Sequence, residues 1–182
     1  MEYRLFMMRH FATFENDNDI YMGQLDYSVN PARMNLKAGG FVGIDCCHLI
    51  SSPLKRAVES AYYVMNRFSL IKWEFETNDL LKERCLGEFE GKKKSAIKSG
   101  KSGDKYFFNN QLILQETPPG AEGIDSFCAR VNSFKKYLDK CLASNNVLLV
   151  THVQVMRALL CDNISNDKWY SMFFSHGEII EV

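Results

Sequence analysis

Two short apolar runs in this chain each end on a histidine. Leu5-Phe6-Met7-Met8 leads into Arg9-His10, and Val147-Leu148-Leu149-Val150 leads into Thr151-His152. Unbroken aliphatic runs of this length read as strands buried on both faces, as in a parallel sheet covered by helices. Side chains at the ends of adjacent strands in such an open sheet converge on one crevice, where these folds bind ligands. The pair therefore constrains the architecture and the place of the site together.

The rest of the pattern agrees with that architecture. Tyr3 to Met8 reads as the first strand and Thr13 to Asn30 as a long polar segment. A helix is predicted within Pro31 to Val42, weakened by Gly39-Gly40. His48 to Ser51 reads as a strand, and Ser52-Pro53 supplies an N-cap and an N1 proline for a helix to Phe68. Ile71 to Glu76 alternates as a strand does, and Glu83 to Gly91 reads as loop. Gly123 to Asn145 holds a helix with Ile124, Phe127, Val131, Phe134, Tyr137, Leu138 and Leu142 on one face. Val147 to Thr151 is a strand, a helix follows to Cys161, and Glu178 to Val182 forms an edge strand, predicted antiparallel. With no repeat and no linker, the expectation is one α/β domain over 1–182: a mostly parallel sheet with helices on both faces.

The formal net charge is +0, which argues against nucleic acid or an anionic membrane as a partner. No apolar stretch is long enough to span a bilayer, and Arg4 and Arg9 interrupt any secretory leader. Six cysteines without a CxxC pair read as reduced thiols, so the chain is expected in the cytoplasm.

Four blocks carry chemistry: Arg9-His10-Phe11-Ala12-Thr13-Phe14-Glu15-Asn16, Ser51 to Ala61 with Lys55-Arg56, Leu81-Lys82-Glu83-Arg84-Cys85-Leu86-Gly87, and Val147 to Leu160 with His152. Each alone is weak. In this order, with Pro118-Pro119-Gly120-Ala121-Glu122 and Arg130-Val131 downstream, they resemble the histidine phosphatase superfamily, whose fold is phosphoglycerate mutase-like. The likeness covers nearly the whole chain. It implies that His10 attacks phosphorus and forms a phosphohistidine, and that Arg9, Arg56 and His152 hold the phosphoryl oxygens. Arginine suits that task because its planar fork meets two oxygens at once. Glu83 matches the proton donor, a role that needs a carboxyl with a raised pKa; Glu88 and Glu90 lie nearby on the same loop. Thr13 and Asn16 fall where the family contacts the phosphoryl group, and Gly23-Gln24 resembles the segment that approaches substrate.

The resemblance has two departures. Phe11 and Val153 stand where the family has glycine after each catalytic histidine, which places added bulk beside the phosphate site. Arg84 and Lys94 match two substrate contacts of the mutases, yet no arginine lies between Lys105 and Pro119. Half the mutase clamp is missing, so water is the expected acceptor, and the subgroup resembled is that of α-ribazole phosphatase. Residues 92 to 105 carry six lysines against one acid, read as a solvated face or as a basic lid.

Rival chemistries fail on the letters. No cysteine is followed six positions later by arginine, so a cysteine nucleophile of that type is excluded. Asp17-Asn18-Asp19 follows no apolar strand, and there is no phosphate loop, HExxH or clustered metal-ligand spacing. The expectation is an acid-type histidine phosphatase that needs no metal or cofactor, acts on a small phosphomonoester and releases inorganic phosphate. Two readings stand beside it: a phosphohistidine phosphatase acting on a protein, and a phosphate-binding module in which Phe11 and Val153 block turnover.

Overall fold

The computed structural model describes residues 3–39, 41–100, 103–108, 111–161 and 166–182. A five-stranded sheet organises them. Its strands are β1 (Leu5–Arg9), β2 (Cys46–Ser51), β3 (Lys72–Thr77), β6 (Val147–Thr151) and β7 (Ile179–Glu181), in the order β3-β2-β6-β1-β7. All pairings are parallel except β1 with β7, where Met7 faces Ile180. The short β4 (Phe107–Phe108) and β5 (Gln111–Leu112) form a separate antiparallel pair.

Every residue of β6 is buried, which its unbroken aliphatic sequence requires for a strand at the centre of the sheet. Two apolar layers flank it. On one face Ile124, Phe127, Val131, Phe134 and Leu138 of α5 (Ile124–Leu142) pack with Met7, Leu149 and the α6 helix (Val153–Leu160). On the other, Ala57, Ala61 and Val64 of α2 (Lys55–Arg67) pack with Phe6, Met8, Leu148 and Val150. Alternate β1 side chains thus serve opposite layers, as pleating demands.

The register Arg9↔Thr151 is what matters for the site. It brings the C-terminal ends of β1 and β6 level, so His10 and His152 leave adjacent strands side by side.

Several predicted elements are reshaped. The predicted helix over 31–42 is only a 3-10 turn, Pro31–Arg33, and Gly40 lies outside the described residues. The polar segment instead holds a one-turn helix α1 (Phe14–Asp17), capped reciprocally by Thr13 and Asn16. The helix expected from Ser52-Pro53 starts at Lys55 with Leu54 at its N-cap and no side-chain cap; Ser52 has other partners, described below. α3 (Lys94–Lys98) and α4 (Gly103–Tyr106) lead into the β4–β5 pair, and α7 (Asn166–Ser171) precedes the last strand. Among the described residues no helix is long and apolar enough to cross a membrane.

Candidate active site

A cleft of about 410 Å³ opens over the C-terminal ends of β1 and β6. Arg9, His10, Asn16, Gly23, Arg56, Glu83, Lys94 and Val153 line it, together with Gln154, Arg157 and Tyr170. His152 lies beneath, fully buried, with its ring centroid 5.1 Å from that of His10.

The protonation of His10 follows from its neighbours. Nδ1 lies 2.6 Å from the Phe11 carbonyl, which can only accept, so Nδ1 carries the proton and Nε2 is bare. Burial, then the Arg56 charge and the neighbouring histidines, hold its pKa well below the usual imidazole value. The ring is therefore neutral at physiological pH, with a lone pair on Nε2.

Ser52 is the partner of His152. Its Oγ accepts from the Leu54 N–H at 3.3 Å and lies 2.8 Å from His152 Nε2. The hydroxyl can donate to Nε2, and in that arrangement a neutral His152 carries its proton on Nδ1. That Nδ1 is buried without a partner. Burial and Arg56 keep His152 neutral, its pKa well below the usual value.

Two arginines add donors. Arg56, 1% exposed at the start of α2, gives its terminal nitrogens to the carbonyls of Leu25 and Gly23, both at 2.7 Å. Arg9 donates from one terminal nitrogen to the Phe174 carbonyl at 3.1 Å. The Nε atoms of both are buried and have no partner among the described residues. Buried donors are ordinarily satisfied, so the unpaired nitrogens around this cleft are available to hold an anion. Burial lowers the Arg9 pKa to about 10, and Glu83 opposes that fall.

Glu83 lies on the cleft wall, as does Asp19, and is 8% exposed. Oε1 accepts from the Arg84 N–H at 3.0 Å and Oε2 meets the Gln154 N–H at 3.5 Å. Burial raises its pKa against the Arg84 N–H bond and the charges of Arg56 and Arg9. The two competing glutamates are placed elsewhere. Glu88 is exposed, and Glu90 Oε1 accepts from the N–H groups of Gln24 and Leu86. A Cβ on Gly23 would lie 2.0 Å from that oxygen, so Gly23 is needed to let the two segments meet.

Not every expected residue faces the cleft. The Phe11 side chain turns into the core and meets Tyr63 edge-on at 5.1 Å. Its N–H donates to Ser60 Oγ at 2.9 Å and is not left for a ligand. Arg84 is fully buried and holds the carbonyls of Glu122 and Leu114. Thr13 caps α1, and Gln24 donates to the Glu83 carbonyl at 2.9 Å. Val153, by contrast, does line the cleft, as does Lys94, which is paired with Asp19 at 2.7 Å. In the lysine run, Lys98 also lines it, Lys92 and Lys93 are exposed, and Lys101 lies outside the described residues.

Arg157, Gln154 and Tyr170 join the cleft without having been expected there. Arg157 lies four residues after Val153 on α6, hence on the same helix face, and that spacing was the available signal. Tyr170 stands below the Arg157 guanidinium and donates to the Leu112 carbonyl at 2.8 Å. Burial raises the pKa of the Cys47, Cys85, Cys128 and Cys141 thiols, which suits packing rather than nucleophilic roles.

Comparison with known proteins agrees with this arrangement. The model of the histidine phosphatase superfamily, branch 1, matches residues 5–182. A protein of Hydrogenobacter thermophilus provisionally named phosphoserine phosphatase 2 is 26% identical over 98% of this chain and 88% of its own. A 2,3-bisphosphoglycerate-dependent phosphoglycerate mutase of Cytophaga hutchinsonii is 26% identical over 86% of this chain and 75% of its own. The solved structure of α-ribazole phosphatase from Shigella flexneri superposes with a TM-score of 0.75 at 19% identity, covering 98% of this chain and 89% of that one.

Proposed function

Because the chain belongs to the histidine phosphatase superfamily, we propose that it hydrolyses small phosphomonoesters through a phosphohistidine formed on His10. The observation that carries this reading is the bare His10 Nε2 beside three unpaired buried nitrogens. The phosphoryl group spreads its charge over three equatorial oxygens, and donors fixed in advance stabilise that charge without reorganising. Arg9 Nε, Arg56 Nε and His152 Nδ1 take those roles.

Nε2 attacks phosphorus as the ester P–O bond breaks, and Glu83 gives its proton to the leaving oxygen. Glu83, now a carboxylate, takes a proton from water; the hydroxide attacks phosphorus and the P–N bond breaks. Inorganic phosphate leaves, and His10 and protonated Glu83 are restored. No step needs a metal or cofactor.

Water is the acceptor in this reading because neither mutase-like contact is free to hold a second anionic group. Arg84 is turned into the fold, and Lys94 is paired with Asp19. A small substrate is favoured over a phosphoprotein because Lys94, Lys98 and Leu112 line the cleft and narrow it. Phe11, whose bulk argued for a binding module without turnover, lies in the core.

Hydrolysis of p-nitrophenyl phosphate in EDTA tests the reading, with native protein beside His10→Ala. Turnover that survives EDTA and vanishes in the variant is expected. Turnover that persists in His10→Ala, or native protein that binds phosphate and hydrolyses no phosphomonoester, refutes it.

A further inference from the structure

His176 and Gly177, just ahead of β7, grip three consecutive residues at the end of β1. The Gly177 N–H donates to the Arg9 carbonyl at 3.0 Å. His176 Nδ1 lies 2.9 Å from the carbonyl of His10 itself, and a carbonyl only accepts, so Nδ1 carries the proton. The Phe11 ring occupies the space that a side chain on Gly177 would fill: a Cβ there would lie 2.6 Å from Phe11 Cε1. Gly177 is also at φ +73°, where only glycine is at ease.

The grip is itself held in place. β7 pairs with β1, and the Gly177 carbonyl accepts from the Lys37 N–H at 2.8 Å while the Ile179 N–H donates to the Lys37 carbonyl at 2.7 Å. The His176 ring is 5.1 Å from that of His10 and is not part of the cleft wall. Nothing in the phosphoryl chemistry uses it, yet its only hydrogen bond among the described residues goes to the residue that bears the nucleophile.

We propose that His176 is a positioning residue for His10. By fixing the His10 carbonyl it fixes the peptide from which the ring projects, and with it the short Nδ1–H contact to the Phe11 carbonyl that leaves Nε2 bare. The grip also explains how a phenylalanine is tolerated directly after the nucleophile: Phe11 and Gly177 are complementary halves of one contact. The proposal rests on His10 being the nucleophile.

His176→Leu removes the donor at similar bulk. His176→Asn restores one, because the asparagine Nδ2 stands at the same distance from Cβ as the imidazole Nδ1. With p-nitrophenyl phosphate, His176→Leu is expected to lower kcat ten- to a hundredfold with KM within about twofold, the scale of a misplaced reacting group. His176→Asn is expected to recover kcat to within about threefold of native. Thermal unfolding confirms that both are folded. Native kcat in His176→Leu, or a folded His176→Asn as slow as the leucine variant, overturns the proposal.

Turnover by His10→Ala, measured alongside, refutes the nucleophile assignment separately. Imidazole nitrogen NMR decides the positioning role independently of turnover. His10 should be a single Nδ1–H tautomer in native protein and a mixture in His176→Leu. An unchanged His10 spectrum in the leucine variant overturns the proposal.

Discussion

Glu83→Gln separates the two steps of the proposed reaction. The substitution keeps shape and volume. Its amide oxygen can still accept the Arg84 N–H, and the bond at risk is the 3.5 Å contact with the Gln154 N–H. That contact is long for a hydrogen bond, so the loss of stability should stay below about 1 kcal/mol. What disappears is the proton. For an alkyl phosphate, whose leaving oxygen needs protonation, kcat/KM should fall by roughly 10²–10⁴, the usual worth of a positioned general acid. For p-nitrophenyl phosphate, whose leaving group departs as a stable anion, kcat/KM should fall by less than about tenfold, since that quantity stops at the first irreversible step. Breakdown of the phosphohistidine still lacks its base. A rapid-quench assay should therefore show a burst of about one nitrophenol per enzyme before slow turnover. Equal losses of kcat/KM on both esters, with no burst, would remove Glu83 from the acid–base role.

Two further outcomes follow from burial. The His176 pKa is lowered to about 4, chiefly by burial, and those of His10 and His152 are lowered well below the usual value, so the unfolded chain takes up protons that the folded one refuses. Stability should be full above about pH 6.5 and fall as pH drops toward 4, with His176 contributing at most about 3 kcal/mol, less whatever its partial exposure screens. The raised pKa of Glu83 acts in the opposite sense, stabilising below its unfolded value and losing that contribution as pH rises through its folded one. Urea titrations at several pH values that gave one unchanging midpoint would refute the burial of these rings. Arg84→Met takes a donor from each of the carbonyls of Glu122 and Leu114 and should cost about 2–3 kcal/mol in urea, with KM for small phosphomonoesters within twofold of native. A tenfold rise in KM at native stability would instead make Arg84 a substrate contact.

The strands and the cleft were legible because burial writes itself into sequence. A fully buried β6 must be a run of aliphatics, and the α5 face must repeat with helical period. The parallel register then had to bring His10 and His152 together, and a helix leaving the adjacent β2 had to carry Arg56 to the same edge. Direction is not written that way. Phe11 and Arg84 are each next to a cleft residue in sequence, but neighbouring residues point to different sides of the backbone. Both serve the fold: the Phe11 ring enters the core and the Arg84 guanidinium holds carbonyls. Ser52 misled for a related reason. Its hydroxyl suits an N-cap, but Leu54 takes that position and Ser52 sits beside the His152 ring. His176 was invisible because its partner is a backbone carbonyl 166 residues away, which no local pattern records.

The two bulky residues that follow the histidines have opposite consequences, and the difference lies in the elements that receive them. After β1 the chain continues as extended loop, so the residue following His10 turns to the far side, where Ser60, Tyr63 and Gly177 take its N–H and its ring. Phe11 thereby places a packed residue beside the proposed nucleophile. After β6 the chain turns at once into α6, and Val153, as its first residue, stays on the cleft wall four positions before Arg157. Beside a developing oxyanion an isopropyl group offers no hydrogen bond, but it excludes water and strengthens the neighbouring charges. On the proposed mechanism, Val153 bears on which leaving group fits and Phe11 on how firmly His10 is held. A glycine at 11 would loosen the nucleophile without enlarging the cleft, whereas a glycine at 153 would enlarge it and leave the nucleophile in place.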